Sequence, residues 1–196
     1  RMVDELLEEI AGGLGLSKSS VSRAFVDGSR KALEHLQTRS LRGKIWCAVQ
    51  VDAIYFGGRS IVVALGIQST GKKVVLGLKE GNTESSTVCI DLFHELIERG
   101  LRTDLPFLFV LDGGKGLKKA VNEVFAGFPV QRCLHHKQRN ILEYLSERVH
   151  GEFNRRWARL RRSEKYMDAK AEYNSIHQWL ESYSTEAVNS LDEAGD

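Results

Sequence analysis

Residues 45–79 read IWCAVQVDAIYFGGRSIVVALGIQSTGKKVVLGLK. Three runs rich in Val, Ile and aromatic residues, Ile45 to Phe56, Ser60 to Gln68 and Lys72 to Lys79, are separated by Gly57-Gly58 and by Ser69-Thr70-Gly71. Branched and aromatic side chains suit a pleated strand and glycine supplies the positive φ of a tight hairpin, so the stretch predicts a three-strand antiparallel meander. One residue breaks the apolar pattern. Asp52 places a carboxylate where it is costly unless something pairs with it.

Downstream, Thr83 is a candidate cap for a helix whose Val88, Leu92, Leu96 and Ile97 recur at helical spacing up to Gly100. Pro106 to Leu111 and Phe128 to Arg132 read as short buried strands flanking a helix over Leu117 to Phe125, which is the pattern of a parallel βαβ crossover. From about Leu134 to the end the pattern is helical. The order βββαβαβ then helix defines an α/β fold with a mixed sheet, the ribonuclease H-like topology. Upstream, Leu6, Leu7 and Ile10 mark a helix over Val3 to Ala11, broken by Gly12, Gly13 and Gly15. Ser17 can cap a second helix running to about Gln37, with Val21, Ala24, Phe25, Leu33 and Leu36 along it, and Ser40 to Lys44 form a polar linker.

With 42% apolar residues in 196, the chain can fill a core, which excludes a disordered or fibrous protein. No apolar run of about 18 residues occurs, so neither a membrane span nor a leader is expected. The three cysteines, Cys47, Cys89 and Cys133, are scattered and odd in number, which suits a reducing cytoplasm. The net charge of +2 conceals +6 over residues 130–165 and −6 over 166–196. The basic block includes Arg155, Arg156, Arg159, Arg161 and Arg162, and is either a solvated helix face or a phosphate-binding surface.

Asp112 ends the strand Phe107 to Leu111 and precedes Gly113-Gly114. Taken alone it is a turn former or helix cap. In the predicted topology, however, the first and fourth strands are neighbours, so Asp52 and Asp112 face one another. Two carboxylates that close repel unless a divalent cation neutralises them, and hard oxygen ligands select Mg2+ or Mn2+. A pair of such ions suits phosphoryl transfer. Gly113-Gly114-Lys115-Gly116 is not a nucleotide-binding loop, because Phe109 and Gly116 stand where that motif needs Gly and Ser or Thr. Cys133 and His136 could be half of a zinc site, but no second pair completes it.

The segments Gln50 to Tyr55, Val75 to Leu78, Leu111 to Leu117, and Gln131-Arg132-Cys133-Leu134-His135-His136-Lys137-Gln138-Arg139-Asn140 together resemble the mutator-type transposases of bacterial insertion sequences. The resemblance spans nearly the whole chain. It implies an Asp-Asp-Glu triad on a ribonuclease H-like core interrupted by a helical insertion. Asp52 and Asp112 would be the first two acids and metal ligands of a two-metal site, with Cys133 and His136 as the family's supporting Cys-x-x-His pair. The domains would be a helix-turn-helix over 1–40, an incomplete catalytic core over 45–142, and the start of the insertion over 143–196. Glu147 is a tempting third acid, but a continuous helix from Leu134 would carry it roughly 20 Å from Cys133. The triad Glu is expected beyond the insertion, after residue 196, with Arg1 and Asp196 bounding a fragment inactive alone.

Ser17, Lys18, Ser20, Ser22 and Arg23 resemble the start of a recognition helix that reads base edges, although a packing corner without DNA contact has the same pattern. Arg132, Lys137 and Arg139 are expected to hold phosphates. The expected partners are terminal inverted repeats and target DNA, bound by a homo-oligomer without a membrane, in a bacterial cytoplasm at the nucleoid. The rival readings are a nuclease of the same fold and a non-catalytic DNA-binding regulator.

Overall fold

The computed structural model describes residues 18–193. The elements are α1 (Lys18–Thr38), β1 (Trp46–Phe56), β2 (Arg59–Gln68), β3 (Lys73–Glu80), α2 (Ser86–Glu98), β4 (Leu108–Leu111), α3 (Lys115–Val124), β5 (Val130–Arg132), α4 (Leu134–Glu143), α5 (Glu147–Arg162), α6 (Tyr166–Glu181) and α7 (Thr185–Asp192). The strands form one mixed sheet in the order β3-β2-β1-β4-β5, as an antiparallel meander joined to two parallel strands. Gly57 and Gly58, at φ 58° and 80°, make the predicted hairpin turn between β1 and β2. No described helix is long and apolar enough to cross a membrane.

Side chains alternate along the strands, so one sheet face is dry: Val62 and Ala64 of β2 are buried while Val63 and Leu65 are half-buried. Val49, Val51 and Leu76 join that buried face under Leu92, Phe93 and Leu96 of α2 and Leu117, Ala120 and Val121 of α3. Phe109 anchors the β4 end of this core, its ring centroid 5.0 Å from those of Phe107 and Phe125.

A second apolar cluster, made by α4 to α7, gathers Ile141, Leu145, Phe153, Trp157, Ile176, Leu180, Ala187 and Leu191. The predicted helical stretch is thus four helices, interrupted at 144–146, 163–165 and 182–184 without any proline. Helix α1 matches its expected span, but Phe25 and Leu33 are exposed among the described residues. The helix, glycine turn and Ser17 expected before it lie outside those residues. The C-terminal end of α1 is tied to the core by Arg99, whose Nη2 donates to the Leu36 carbonyl at 2.8 Å and whose Nε donates to that of Arg39 at 3.1 Å. The linker is less polar than expected, because Leu41 is fully buried.

Helix α2 starts two residues later than the Thr83 cap would require. Ser85 is the N-cap, its hydroxyl accepting from the Val88 N–H. Thr83 is engaged elsewhere.

Candidate active site

The register of β1 against β4 pairs Val51 with Leu111. Both are buried, so the next residue of each strand, Asp52 and Asp112, emerges side by side where β4 ends. Adjacent strands lie about 4.8 Å apart, which puts the two carboxylates within mutual influence. Asp52 Oδ1 accepts the Ala53 N–H at 2.8 Å, and Oδ2 lies 3.6 Å from His136 Nε2. Burial pushes the Asp52 pKa above the ordinary aspartate value, with Asp112 adding to the rise and His136 opposing it. Asp112 is held from both sides: Oδ2 accepts the Thr83 hydroxyl at 2.7 Å and Oδ1 accepts the Gly114 N–H at 2.8 Å.

The glycines after Asp112 have steric reasons to be glycine. Gly113 has φ +107°, and a Cβ there would meet the Arg132 guanidinium at 2.0 Å. A Cβ on Gly116 would lie 2.1 Å from the backbone oxygen of Glu84, because the Leu117 N–H donates to the Thr83 carbonyl at 2.7 Å. The loop before α2 and the start of α3 are therefore pressed together, and Thr83, 6% exposed, is caught between them with its hydroxyl on Asp112. Sequence reasoning missed Thr83 as a site residue. Its only local signal, a hydroxyl before a helix, was shared with Ser85.

An open cavity of about 310 Å3 is lined by Asp52, Glu84, Asp112, Arg132, His136, Arg139 and Asn140, among others. Five of the residues picked from sequence thus meet in one place. Cys133 positions two of them: its N–H donates to the Leu111 carbonyl at 2.7 Å and it is the N-cap of α4, which carries His136 one turn later. The His136 Nδ1 is buried with no hydrogen-bond partner among the described residues. Arg132 donates to the Gly113 carbonyl at 3.1 Å, and Arg139 is exposed. Glu84 also reaches this cavity and had no signal in the sequence.

One expectation is corrected. Lys137 is 1% exposed, and its amine donates to the Ser190 carbonyl of α7, so it joins two helices and cannot reach a phosphate. Burial lowers its pKa. Three arginines of the basic block are already paired: Arg155 and Arg156 pair with Glu152 at 2.7 and 2.8 Å, and Arg159 with Glu172 at 3.2 Å. Glu147 opens a new helix after the break at 144–146 instead of lying three turns along α4, and it is not among the residues lining the carboxylate cavity. Lys18 is the first residue of α1; Ser20, Ser22 and Arg23 follow on it, away from that cavity, with the Arg23 Nε donating to the Ser19 carbonyl at 3.2 Å.

Asp52 and Asp112, with Glu84 on the same lining, fit part of the ligand set of a divalent ion, although among the described residues no three His, Cys, Asp or Glu groups are gathered closely enough to complete it.

A family model described as "Transposase, Mutator family" matches residues 1–196. The transposase for insertion sequence element IS6120 of Mycolicibacterium smegmatis is 32% identical over 151 residues, covering 74% of this chain and 46% of that protein. The transposase for IS256 in transposon Tn4001 of Staphylococcus aureus is 31% identical over 154 residues, covering 72% and 37%. That for ISRM3 of Rhizobium meliloti is 31% identical over 154 residues, covering 74% and 37%. The chain therefore spans less than half the length of these relatives.

Proposed function

The chain belongs to the mutator family of transposases, and from that premise we propose that it carries part of a metal-dependent centre for DNA strand cleavage and strand transfer on a ribonuclease H-like core. The reading rests on one observation: Asp52 and Asp112 emerge together from neighbouring parallel strands into a cavity rimmed by Arg132 and Arg139. Carboxylates beside arginines suit a scissile phosphodiester, because the guanidiniums can orient its free oxygens while the acids face the reacting ones.

Asp52 and Asp112 would hold Mg2+ or Mn2+, which when bound supplies neutralisation of charge on the phosphate and activation of the attacking oxygen. The remaining work is done by this chain. Thr83 and the Gly114 N–H fix the rotation of Asp112. His136 limits that of Asp52, and Cys133 sets where α4 and His136 begin. Arg132, braced on the Gly113 carbonyl, holds the phosphate. In this reading Glu147 is not the third acid, since it does not line the cavity, whereas Glu84 does. Ser17, Lys18, Ser20, Ser22 and Arg23 would read the terminal inverted repeats, a homo-oligomer would assemble on the DNA, and the protein would work in the cytoplasm at the nucleoid.

Calorimetric titration with Mn2+ and a strand-transfer assay on DNA bearing the element's ends test this in the whole protein. Metal uptake lost in Asp52→Asn, together with loss of both cleavage and transfer, is expected. Cleavage without transfer would make it a nuclease. Unchanged metal uptake in Asp52→Asn and Asp112→Asn would leave a DNA-binding regulator.

A further inference from the structure

The end of β1 remote from Asp52 opens on a different cavity, of about 420 Å3, whose walls include Trp46, Arg39 and Lys44 from the segment after α1, and Gln68, Lys72 and Lys73 around the β2–β3 turn. Among the described residues no carboxylate lines it. Among the described residues, none of its four cations takes part in an ion pair. Arg39 is braced by donating to the Val75 carbonyl, while Lys44, Lys72 and Lys73 are exposed. Trp46 is 5% exposed, and its indole N–H is buried with no partner among the described residues. Four like charges around one hollow repel, and an anion seated among them relieves that repulsion.

We infer that this cavity holds the phosphodiester backbone of DNA, and that it contributes more to DNA affinity than the ion-paired arginines of helix α5 do. The contrast with the paired arginines of α5 carries this, since Arg155, Arg156 and Arg159 would have to surrender Glu152 and Glu172 before engaging a phosphate, and only Arg148, Arg161 and Arg162 of that helix stand outside the ion pairs of the described residues. In the hollow no ion pair of the described residues has to be surrendered. DNA is favoured over a small anion because Arg39 directly follows α1, whose far end carries the residues proposed to read bases, about 24 Å away along the helix, a span that a duplex covers and a small anion does not. The hollow and Asp52 are six residues apart on β1, roughly 20 Å, the length of about six base pairs. This inference rests on the transposase reading for its choice of polymer.

The test is the affinity of the 196-residue chain for a 30-base-pair duplex of arbitrary sequence, read by fluorescence anisotropy over a salt series. Removing one phosphate-neutralising cation lowers the slope of log affinity against log salt by about 0.9. The triple variant Lys44→Gln, Lys72→Gln, Lys73→Gln should therefore show a slope smaller by about 2 to 3 and an affinity at least about tenfold weaker at low salt. The Lys→Arg triple should retain both, and circular dichroism should show all variants folded. Arg155→Gln with Arg159→Gln should lower the slope by less than about 1. An unchanged slope in the glutamine triple overturns the inference and leaves the transposase reading standing. Absence of any DNA binding by the parent chain overturns both. Titration with inorganic phosphate, read by tryptophan fluorescence, supplies the last arm: phosphate binding abolished in the glutamine triple while its DNA slope is unchanged would make the hollow a small-anion site and overturn the assignment to DNA.

Discussion

The carboxylate cavity and helix α5 are both dense in charge, yet they use it in opposite ways. Around Asp52 and Asp112 the polar partners are few: two backbone N–H groups, one buried hydroxyl and the His136 ring at 3.6 Å. Along α5 the partners are long side chains of opposite sign, with Arg155 and Arg156 sharing Glu152 while Arg159 takes Glu172. Charge counted along a sequence therefore says little about charge available to a ligand. What decides availability is whether a partner already stands within reach.

Four substitutions press on that difference, in falling order of effect. Asp112→Asn in the whole protein should lower strand cleavage by about 10³-fold or more while DNA binding stays within about twofold, because an anionic metal ligand is removed and the phosphate-holding arginines remain. Gel analysis of cleaved ends checks this, and cleavage within tenfold of the parent would remove Asp112 from the chemistry. Lys137→Ala should destabilise the chain by about 2 to 4 kcal/mol in urea unfolding, since the Ser190 carbonyl is left buried without its donor and the stem leaves a void. The DNA salt slope of that variant should not move, which separates it from the exposed lysines.

Thr83→Val keeps the shape of the side chain but removes the donor to Asp112, and should weaken Mn2+ uptake by about tenfold. Thr83→Ser should restore uptake. Failure of serine to do so would mean that the methyl group, and not the hydroxyl, is what matters. Arg159→Ala exposes the smallest effect, under about 1 kcal/mol of stability, because its pair with Glu172 is at the surface and screened. A destabilisation well above that bound in Arg159→Ala would show that α5 charges are structural keystones and would sharpen the contrast further.

The meander was legible because each of its signals is local: branched residues make strands and the paired glycines make the turn. The approach of Asp52 to Asp112 was legible one step later, from the strand order expected of the ribonuclease H-like topology, in which the first and fourth strands are neighbours. What escaped was set by groups far apart in sequence. Thr83 and Ser85 both offer a capping hydroxyl, and only the docking of α3 onto the loop assigns Thr83 to Asp112. Lys137 reads as one more exposed cation until α7 folds over it from 53 residues away. The helix breaks near Tyr144, Ser163 and Ser182 carry neither proline nor glycine, so composition hid them. Ser184 did hold a usable clue, since its hydroxyl accepts the Ala187 N–H.

The pairing of Val51 with Leu111 also has a bearing on time. Strands β1, β2 and β3 close through turns of a few residues, whereas β4 can join β1 only after the 59 residues between Val51 and Leu111 have been drawn in. Local hairpins form in microseconds and long closures come later, so the meander is expected to be in place before β4 docks. Pulse-labelled hydrogen exchange during refolding should find the β2 amides protected ahead of those of β4. The two acids then meet at the final step, when their mutual repulsion opposes closure, and a divalent cation present at that moment should speed the docking of β4 while leaving the earlier hairpins at their own pace.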